Sequence, residues 1–422
     1  MTPTSVLVVG GGVVGLACAH YLGRAGLRVT VLERDRLGSG ASRGNAGEVC
    51  PDLVEPLGAP GVAAKALTGL FRPASPLWIN PVPSLPLLGF LARLGLHSTA
   101  RRHGTGAAAL ASLAEDTFAL FEELEALGVD GGAEKEGFLF AYPTDEDAAH
   151  GLAAFRGLGA PARELLRGPA LRELEPALGA AARAGFLVER QWSLDPGRFV
   201  DALADRLRRD GAELVEGARV TAVRDGQVRT TAGTYTADVV VIAAGVWSRE
   251  LCRPLGVRLD LAAGKGYSFS VPADPLPRRL IHLGTAKAVL TPLGKQVRVA
   301  GTMEFDRDPD RFRQRRVDAI VAAARPCLPG ADWEARESEW MGPRPMTPDG
   351  LPLIGPLPGH PRVLLATGHN MLGLMLAPAT GRLVTGLVTG EAPLELAARF
   401  APRKGRGELR DQPQPTRTRR TT

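Results

Sequence analysis

Residues 6–33 read VLVVGGGVVGLACAHYLGRAGLRVTVLE. The apolar run 6–9 suits a short buried strand, Gly10–Gly12 a turn, and 13–22 a helix that Ala25, Gly26 and Leu27 end. Residues 29–32 then form a second strand that closes at Glu33. Together they predict a βαβ unit of about 30 residues. Residues 5–22 also have the hydropathy of a secretion signal, but no basic stretch precedes them and three glycines interrupt them, so the βαβ reading is preferred.

Within this unit, residues 10–15, GGGVVG, match the GxGxxG pattern. The pattern is weak alone. Here it follows a strand, opens a helix and precedes an acid 18 positions after Gly15, which together mark a dinucleotide site. Gly10 permits the tight turn, Gly12 lets backbone approach a pyrophosphate, and Gly15 lets the helix pack on the strand. The first helical residues, Val13 and Val14, turn free N–H groups and the positive end of the helix dipole toward the phosphates. Glu33 would accept hydrogen bonds from ribose hydroxyls, with Arg34 beside it. Three further segments favour FAD over NAD. Residues 238–249 form a buried strand running into the small-residue turn Ala243-Ala244-Gly245, and 218–221 form a strand that could pass the adenine. Residues 363–388 read as strand, Gly-rich turn 368–373 and helix 374–387, whose N-terminus could face the charge of a reduced flavin.

Several of these segments converge on one family. GGGVVG with Glu33, SRGNAGEVCP at 42–51, EPLGAPG at 55–61, DPGRF at 195–199, GKGYS at 264–268, GPRPMTPDGLPLIG at 342–355 and GHNMLGLMLAPATG at 368–381 occur in one order from residue 5 to about 390. In these motifs the chain resembles the FAD-dependent D-amino-acid dehydrogenases, within the wider D-amino-acid oxidase and glycine oxidase-like flavoproteins. The resemblance implies an α/β fold: a Rossmann-like FAD-binding domain plus an α+β substrate domain with a mixed or antiparallel sheet. It implies that Ser42, Asn45, Ala46 and Gly47 lie along the ribityl chain and isoalloxazine, and that Val220, Ala244, Gly245 and Trp247 flank the adenosine half. Gly368, Leu372, Gly373 and Leu374 would cap the pyrimidine. Arg344 would bind the substrate carboxylate, and Tyr267 stands where a substrate-binding tyrosine is expected. The last motif departs from the family, reading GHNMLGLM where many relatives have GHGTLGWTM.

The chemistry so implied is oxidative deamination of a small amino acid, of the D series. A hydride passes from the α-carbon to flavin N5, and water hydrolyses the imino acid to a 2-oxo acid and ammonia. A flavin carries the redox chemistry, so the protein chiefly positions substrate and shapes the field. A planar guanidinium at 344 can grip a carboxylate through two parallel hydrogen bonds. Tyr267 is either a carboxylate donor or a core tyrosine. His369 either tunes the cofactor or is satisfied locally, and Lys265 either holds a water near N5 or is solvated. Asp195 caps a helix through 207, with Pro196 in its first turn. Alternatives are a glycine, sarcosine or D-proline type of amine oxidase or dehydrogenase, and a flavin-binding subunit of a larger complex.

The net charge is +6, but 401–422 alone hold seven cations against Glu408 and Asp411, so the other 400 residues are almost neutral. A near-neutral body suits an enzyme of small zwitterions. The tail predicts no nucleic-acid partner and at most a weak contact with an anionic membrane, where a quinone or another carrier would accept electrons in preference to oxygen. The expected location is cytoplasmic, peripheral to the inner face of the plasma membrane. Four dispersed cysteines and no metal-ligand spacing predict reduced thiols and no metal. The expected organisation is discontinuous: 1–60, 150–255 and 345–400 bind FAD, 61–149 and 256–344 form the substrate domain, and 401–422 form a disordered basic tail. Residues 107–127 predict one long amphipathic helix in the substrate domain.

Overall fold

The computed structural model describes residues 3–59, 75–80, 84–224, 226–306 and 308–402. All of the basic tail beyond Pro402, and 60–74 and 81–83 of the expected substrate domain, lie outside the described residues.

The opening stretch folds as β1 (Ser5–Val9), α1 (Val13–Arg24) and β2 (Arg28–Leu32). These strands sit in a six-stranded sheet of order β19 (Leu353–Leu357), β20 (His360–Thr367), β13 (Val239–Ile242), β1, β2 and β9 (Glu213–Val215). Five strands run parallel and only β19 pairs antiparallel. Their runs are continuously apolar because both faces are covered. Val6, Val8, Val239 and Val241 pack with α1 and with the helix of residues 373–389. Leu7, Val9, Val240 and Ile242 pack with a small sheet of β10 (Val220–Arg224), β11 (Gln227–Thr230) and β12 (Thr234–Thr236). The two principal helices cross closely at Gly381, where a Cβ would lie 2.7 Å from the Ala17 carbonyl.

A second sheet supplies the roof of the site. Its order is β18 (Glu337–Met346), β14 (Ala262–Pro272), β17 (Gln296–Phe305), β16 (Ala288–Leu293), β15 (Leu280–Leu283), β5 (Phe138–Tyr142), β7 (Ala184–Val188) and β6 (Leu166–Arg167), with β4 (Leu77–Ile79) beside β17. One face packs Phe269, Val271, Leu290 and Val299 on Val317 and Ile320 of the helix Gln314–Ala324. The other face turns toward the first sheet. A short pair, β3 (Glu48–Val49) with β8 (Trp192–Ser193), lies between them.

Two expectations change. The segment 107–127 is not one helix but the end of α3 (Ala100–Ala114) and all of α4 (Thr117–Ala126); Asp116 has φ −91° and ψ 10°, outside the helical region. The stretch 150–255 does not lie wholly with the parallel sheet, because β6 and β7 belong to the second one. Residues 184–188, AGFLV, are all buried and pair with 138–142 across five positions.

Candidate active site

A cavity of about 1260 Å³, its open mouth included, runs between the two sheets. Gly10, Gly12, Val13, Val14, Glu33, Arg34, Ser42, Asn45, Val220, Ala244, Gly245 and Trp247 line it at one end and along its floor. Gly373, Leu374, His369 and Arg344 line it further on. The cradle exists because side chains are missing from it. A Cβ on Gly15 would lie 1.9 Å from the Gly10 carbonyl oxygen, and one on Gly10 2.5 Å from that of Ala243. Gly10 also has φ +109°, a conformation other residues rarely adopt.

The loop around the cradle is tied down by its neighbours. Glu33 is nearly buried, and its two carboxylate oxygens accept the N–H groups of Gly11 at 2.7 Å and Asp35 at 3.0 Å. Burial raises its pKa while these bonds oppose the rise. Ser42 Oγ accepts from Val13 N at 3.0 Å. That leaves the early N–H groups of Gly12 and Val14, which an α-helix cannot satisfy internally, on the cavity side. The Arg34 guanidinium lies 3.6 Å from the Trp247 ring centroid and walls the end beside Val220. The loop 43–46 is held against the roof by three bonds to its carbonyls: Ser268 Oγ to Gly44 at 2.6 Å, Thr291 Oγ1 to Ala46 at 2.7 Å and Arg298 Nη1 to Arg43 at 3.1 Å.

Arg344 projects from β18 at the roof end. Its Nη1 donates to the Thr302 carbonyl at 3.1 Å, and no carboxylate stands within ion-pair distance of it among the described residues. Burial lowers its pKa to about 10 and the Glu48 carboxylate opposes this, so the guanidinium stays charged at neutral pH. It lies flat over Gly266, where a Cβ would come within 2.2 Å of Nη2. A carboxylate and an imidazole stand nearby. His282 Nε2 is 3.5 Å from Glu48 Oε2. Burial would raise the Glu48 pKa, but His282 and Arg344 outweigh it and lower it. Both Glu48 and His282 remain 20–28% accessible through their side chains.

Other predicted positions lie behind the lining. Gly15 packs the helix on the turn. Ala46 meets Thr291, and Gly47, at φ +76°, has space for no side chain against the Leu194 carbonyl. Gly368 has φ +77°, and Leu372 precedes the helix Gly373–Thr389. Tyr267 is a correction. It faces away from the cavity, 1% exposed, and its hydroxyl donates to Glu304 Oε2 at 3.1 Å. Strand alternation decides this: Gly266 and Ser268 face the loop and Arg344, so Lys265 and Tyr267 face the other way. Lys265 accordingly sits in a buried ion pair, 2.8 Å from Glu304 and 3.5 Å from Asp306. His369 reaches the cavity, but its Nε2 is 2.9 Å from Thr380 Oγ1, and burial lowers its pKa to about 3. Its imidazole is therefore neutral, not an imidazolium acid, near neutral pH.

Three residues escaped sequence reasoning. Glu48 was an acid next to the NAG motif, and His282 one histidine of seven. Asn370 is the most informative. It has φ +53°, which asparagine tolerates better than most residues. Its Oδ1 accepts from Thr347 N at 2.9 Å, and its Nδ2 donates to Gly368 O at 2.9 Å. The departure from the family's GHG is thus a left-handed turn residue that staples the 368–373 turn to the Arg344 segment.

A parallel sheet with a glycine cradle, facing a charged second sheet across one cavity, defines a dinucleotide-dependent oxidoreductase. The profile of the FAD-dependent oxidoreductase family matches residues 5–387, and the chain belongs to that family. FAD is its cofactor, and the bare cradle with its free N–H groups fits that group. Over 406 residues the chain is 33% identical to a D-amino acid dehydrogenase of Cereibacter sphaeroides, covering 92% of each protein. It is 34% identical to one from Methylobacterium nodulans, over 92% of this chain and 96% of that protein. Among solved structures it resembles glycine oxidase from Geobacillus kaustophilus with TM-score 0.74 and 26% identity, over 95% of this chain and 99% of that one.

Proposed function

We infer that the protein deaminates a small D-amino acid oxidatively, giving the 2-oxo acid and ammonia. The observation that carries this reading is Arg344: a charged guanidinium, desolvated, turned toward the cavity and lacking a carboxylate partner among the described residues. Such a group is costly unless a ligand supplies the missing anion. A substrate carboxylate does so and orients the α-carbon toward the floor. The Thr302 carbonyl holds one edge of the guanidinium and Gly266 leaves room for its plane, so Arg344 is pre-positioned. Glu48, kept ionised by His282, offers an acceptor for a substrate ammonium. Neutral His369 adds no competing charge beside the floor. Gly12, Val14 and Glu33 would hold the pyrophosphate and ribose of FAD, and FAD when bound supplies the two-electron acceptor. The first sheet is then the cofactor domain and the second the substrate domain.

The names of the relatives in Cereibacter and Methylobacterium support a dehydrogenase; we propose a quinone or another carrier, in preference to oxygen, as its acceptor. A cytoplasmic protein touching the inner face of the plasma membrane belongs to the same reading. The likeness to glycine oxidase keeps glycine and secondary amines as a second reading. Mixing the yellow protein anaerobically with D- and L-amino acids, glycine, sarcosine and D-proline separates them. Bleaching by D-amino acids alone supports the first reading. Bleaching by glycine or sarcosine alone overturns it, and so does no bleaching at all. Turnover with a dye but not with oxygen identifies the dehydrogenase.

A further inference from the structure

Strand β17 breaks its alternation beside Arg344. Gly301 stands opposite Tyr267 and Glu304 opposite Lys265, so Thr302 and Met303 together face the single residue Gly266. Two residues against one make a β-bulge. A Cβ on Gly301 would lie 3.4 Å from Ile320 of the covering helix, and Glu304 accepts from Tyr267, so both flanking positions face away from the cavity. Thr302 and Met303 therefore share the face that carries Arg344. The Met303 sulfur lies 3.8 Å from Arg344 Nη1, as that placement requires.

Three of the groups that the bulge carries have partners. The Thr302 carbonyl accepts from Arg344 Nη1 at 3.1 Å, and the Met303 N–H donates to the Pro76 carbonyl at 2.7 Å. The Met303 side chain packs on the cluster of Leu87 and Phe90, from helix α2 (Leu85–His97), with Phe305 and Met346. The Thr302 hydroxyl has no such partner: its oxygen is buried and makes no hydrogen bond among the described residues. A buried hydroxyl left so is destabilising. Threonine is unfavourable here in a second way. Thr302 has φ +62° at the first position of the bulge, where glycine is the usual occupant. A β-branched side chain is strained in that conformation, and strain of this kind gathers at functional sites. Glycine would remove the strain and the orphan hydroxyl together. Backbone conformation and burial thus both disfavour threonine at 302, and a ligand is what gives its hydroxyl a use.

We propose that Thr302 is a second anchor for the substrate carboxylate, its hydroxyl donating a hydrogen bond to the anion that Arg344 grips. Among the described residues Arg344 lacks an anion and the Thr302 hydroxyl lacks an acceptor, and one carboxylate supplies both. The two donors reach it from different strands, β18 and β17. A guanidinium alone lets a carboxylate slide and tilt along its edge. A hydroxyl from a second strand fixes that tilt, and with it the direction in which the α-carbon faces the cavity floor. This role rests on the carboxylate-binding part inferred for Arg344.

The test titrates the holoenzyme with acetate and pyruvate, read by the flavin difference spectrum, and measures KM and kcat for whichever amino acid bleaches it fastest. Parent, Thr302→Val, Thr302→Gly and Thr302→Ser are compared, each verified as folded by its flavin absorbance. Thr302→Val and Thr302→Gly should raise Kd for both carboxylates, and KM, about tenfold, the worth of one hydrogen bond to a charged group. Thr302→Ser keeps the hydroxyl and should stay within about twofold of the parent. Thr302→Gly should melt no lower than the parent, since glycine suits a left-handed backbone. Weaker carboxylate binding without lost stability is what a merely structural threonine would not show. Parental Kd values in Thr302→Val and Thr302→Gly overturn the proposal. So does a Thr302→Ser as weak as Thr302→Gly, which would trace the effect to the methyl group, and so does a parent flavin that neither carboxylate perturbs. Bleaching by no amino acid overturns the function reading alone, because acetate binding needs no turnover.

Discussion

The two ends of the cavity are built by opposite means. The nucleotide end is made of backbone: Gly10, Gly12 and Gly15 withhold side chains, and Glu33 and Ser42 each take a nearby N–H group. The end we assign to the substrate is built from separate strands around Arg344 of β18, which stands against Gly266 of β14 and the Thr302 carbonyl of β17 and is coupled to Glu48 of β3. A phosphate cradle needs several N–H donors aimed at one point, which one continuous turn supplies. A carboxylate clamp needs one cation in a slot, and the slot needs walls from distant parts of the chain.

Breaking the cradle should have the largest effect. Gly15→Val puts a Cβ where the Gly10 carbonyl already lies at 1.9 Å, and backbone cannot yield as a flexible side chain can. The purified variant should lack flavin absorbance, and an isolated yellow variant would show that the helix can move. At the other end, Arg344→Lys should leave FAD content unchanged and raise KM about 100-fold, the worth of a lost bidentate, charge-assisted contact. A near-parental KM would remove Arg344 from substrate binding. Gly266→Ala should act through the same group, forcing the guanidinium aside and raising KM about tenfold with little change in kcat. An unchanged KM would mean that Arg344 tolerates displacement.

His369 lies between the two ends, and its effect is on stability. Burial holds its pKa at about 3, against an ordinary 6.5. The unfolded chain takes up that proton near pH 6.5 and the folded chain does not, so stability falls as pH drops below about 6.5 toward 3. The slope from this residue approaches about 1.4 kcal/mol per pH unit. Urea unfolding of His369→Gln should show a shallower fall between pH 7 and pH 5 than the parent, and parallel curves would mean that the imidazole is charged in the fold. The smallest effect is expected on the far side of the roof. Tyr267→Phe loses one hydrogen bond to Glu304, about 1 kcal/mol of stability, and should leave KM alone. A KM change would return Tyr267 to the substrate.

Tyr267 also shows where sequence reading stops. Alternation within GKGYS told that Gly266 and Tyr267 face opposite ways, but not which of them faces the ligand. That depended on the helix Gln314–Ala324 covering the Tyr267 face. The same motif does meet Arg344, through its glycine. The role of Asn370 was visible only as a departure from a pattern, because a left-handed φ and a bond to Thr347 are made 23 residues apart. The segment 184–188 read as part of the first unit because its partner, 138–142, precedes it by more than forty residues.

The βαβ unit, the glycine turn, the capping Asp195 and the helix after Gly373 were all legible in the chain itself. Each rests on interactions within one turn or between a helix and the strands beside it, and steric freedom or capping acts over a few residues. The charge states around Arg344 were not legible. Its pKa and that of Glu48 depend on burial and on each other, though 296 positions separate them in sequence. Electrostatic interaction follows distance in space and the surrounding dielectric, and only the packing of two sheets sets both.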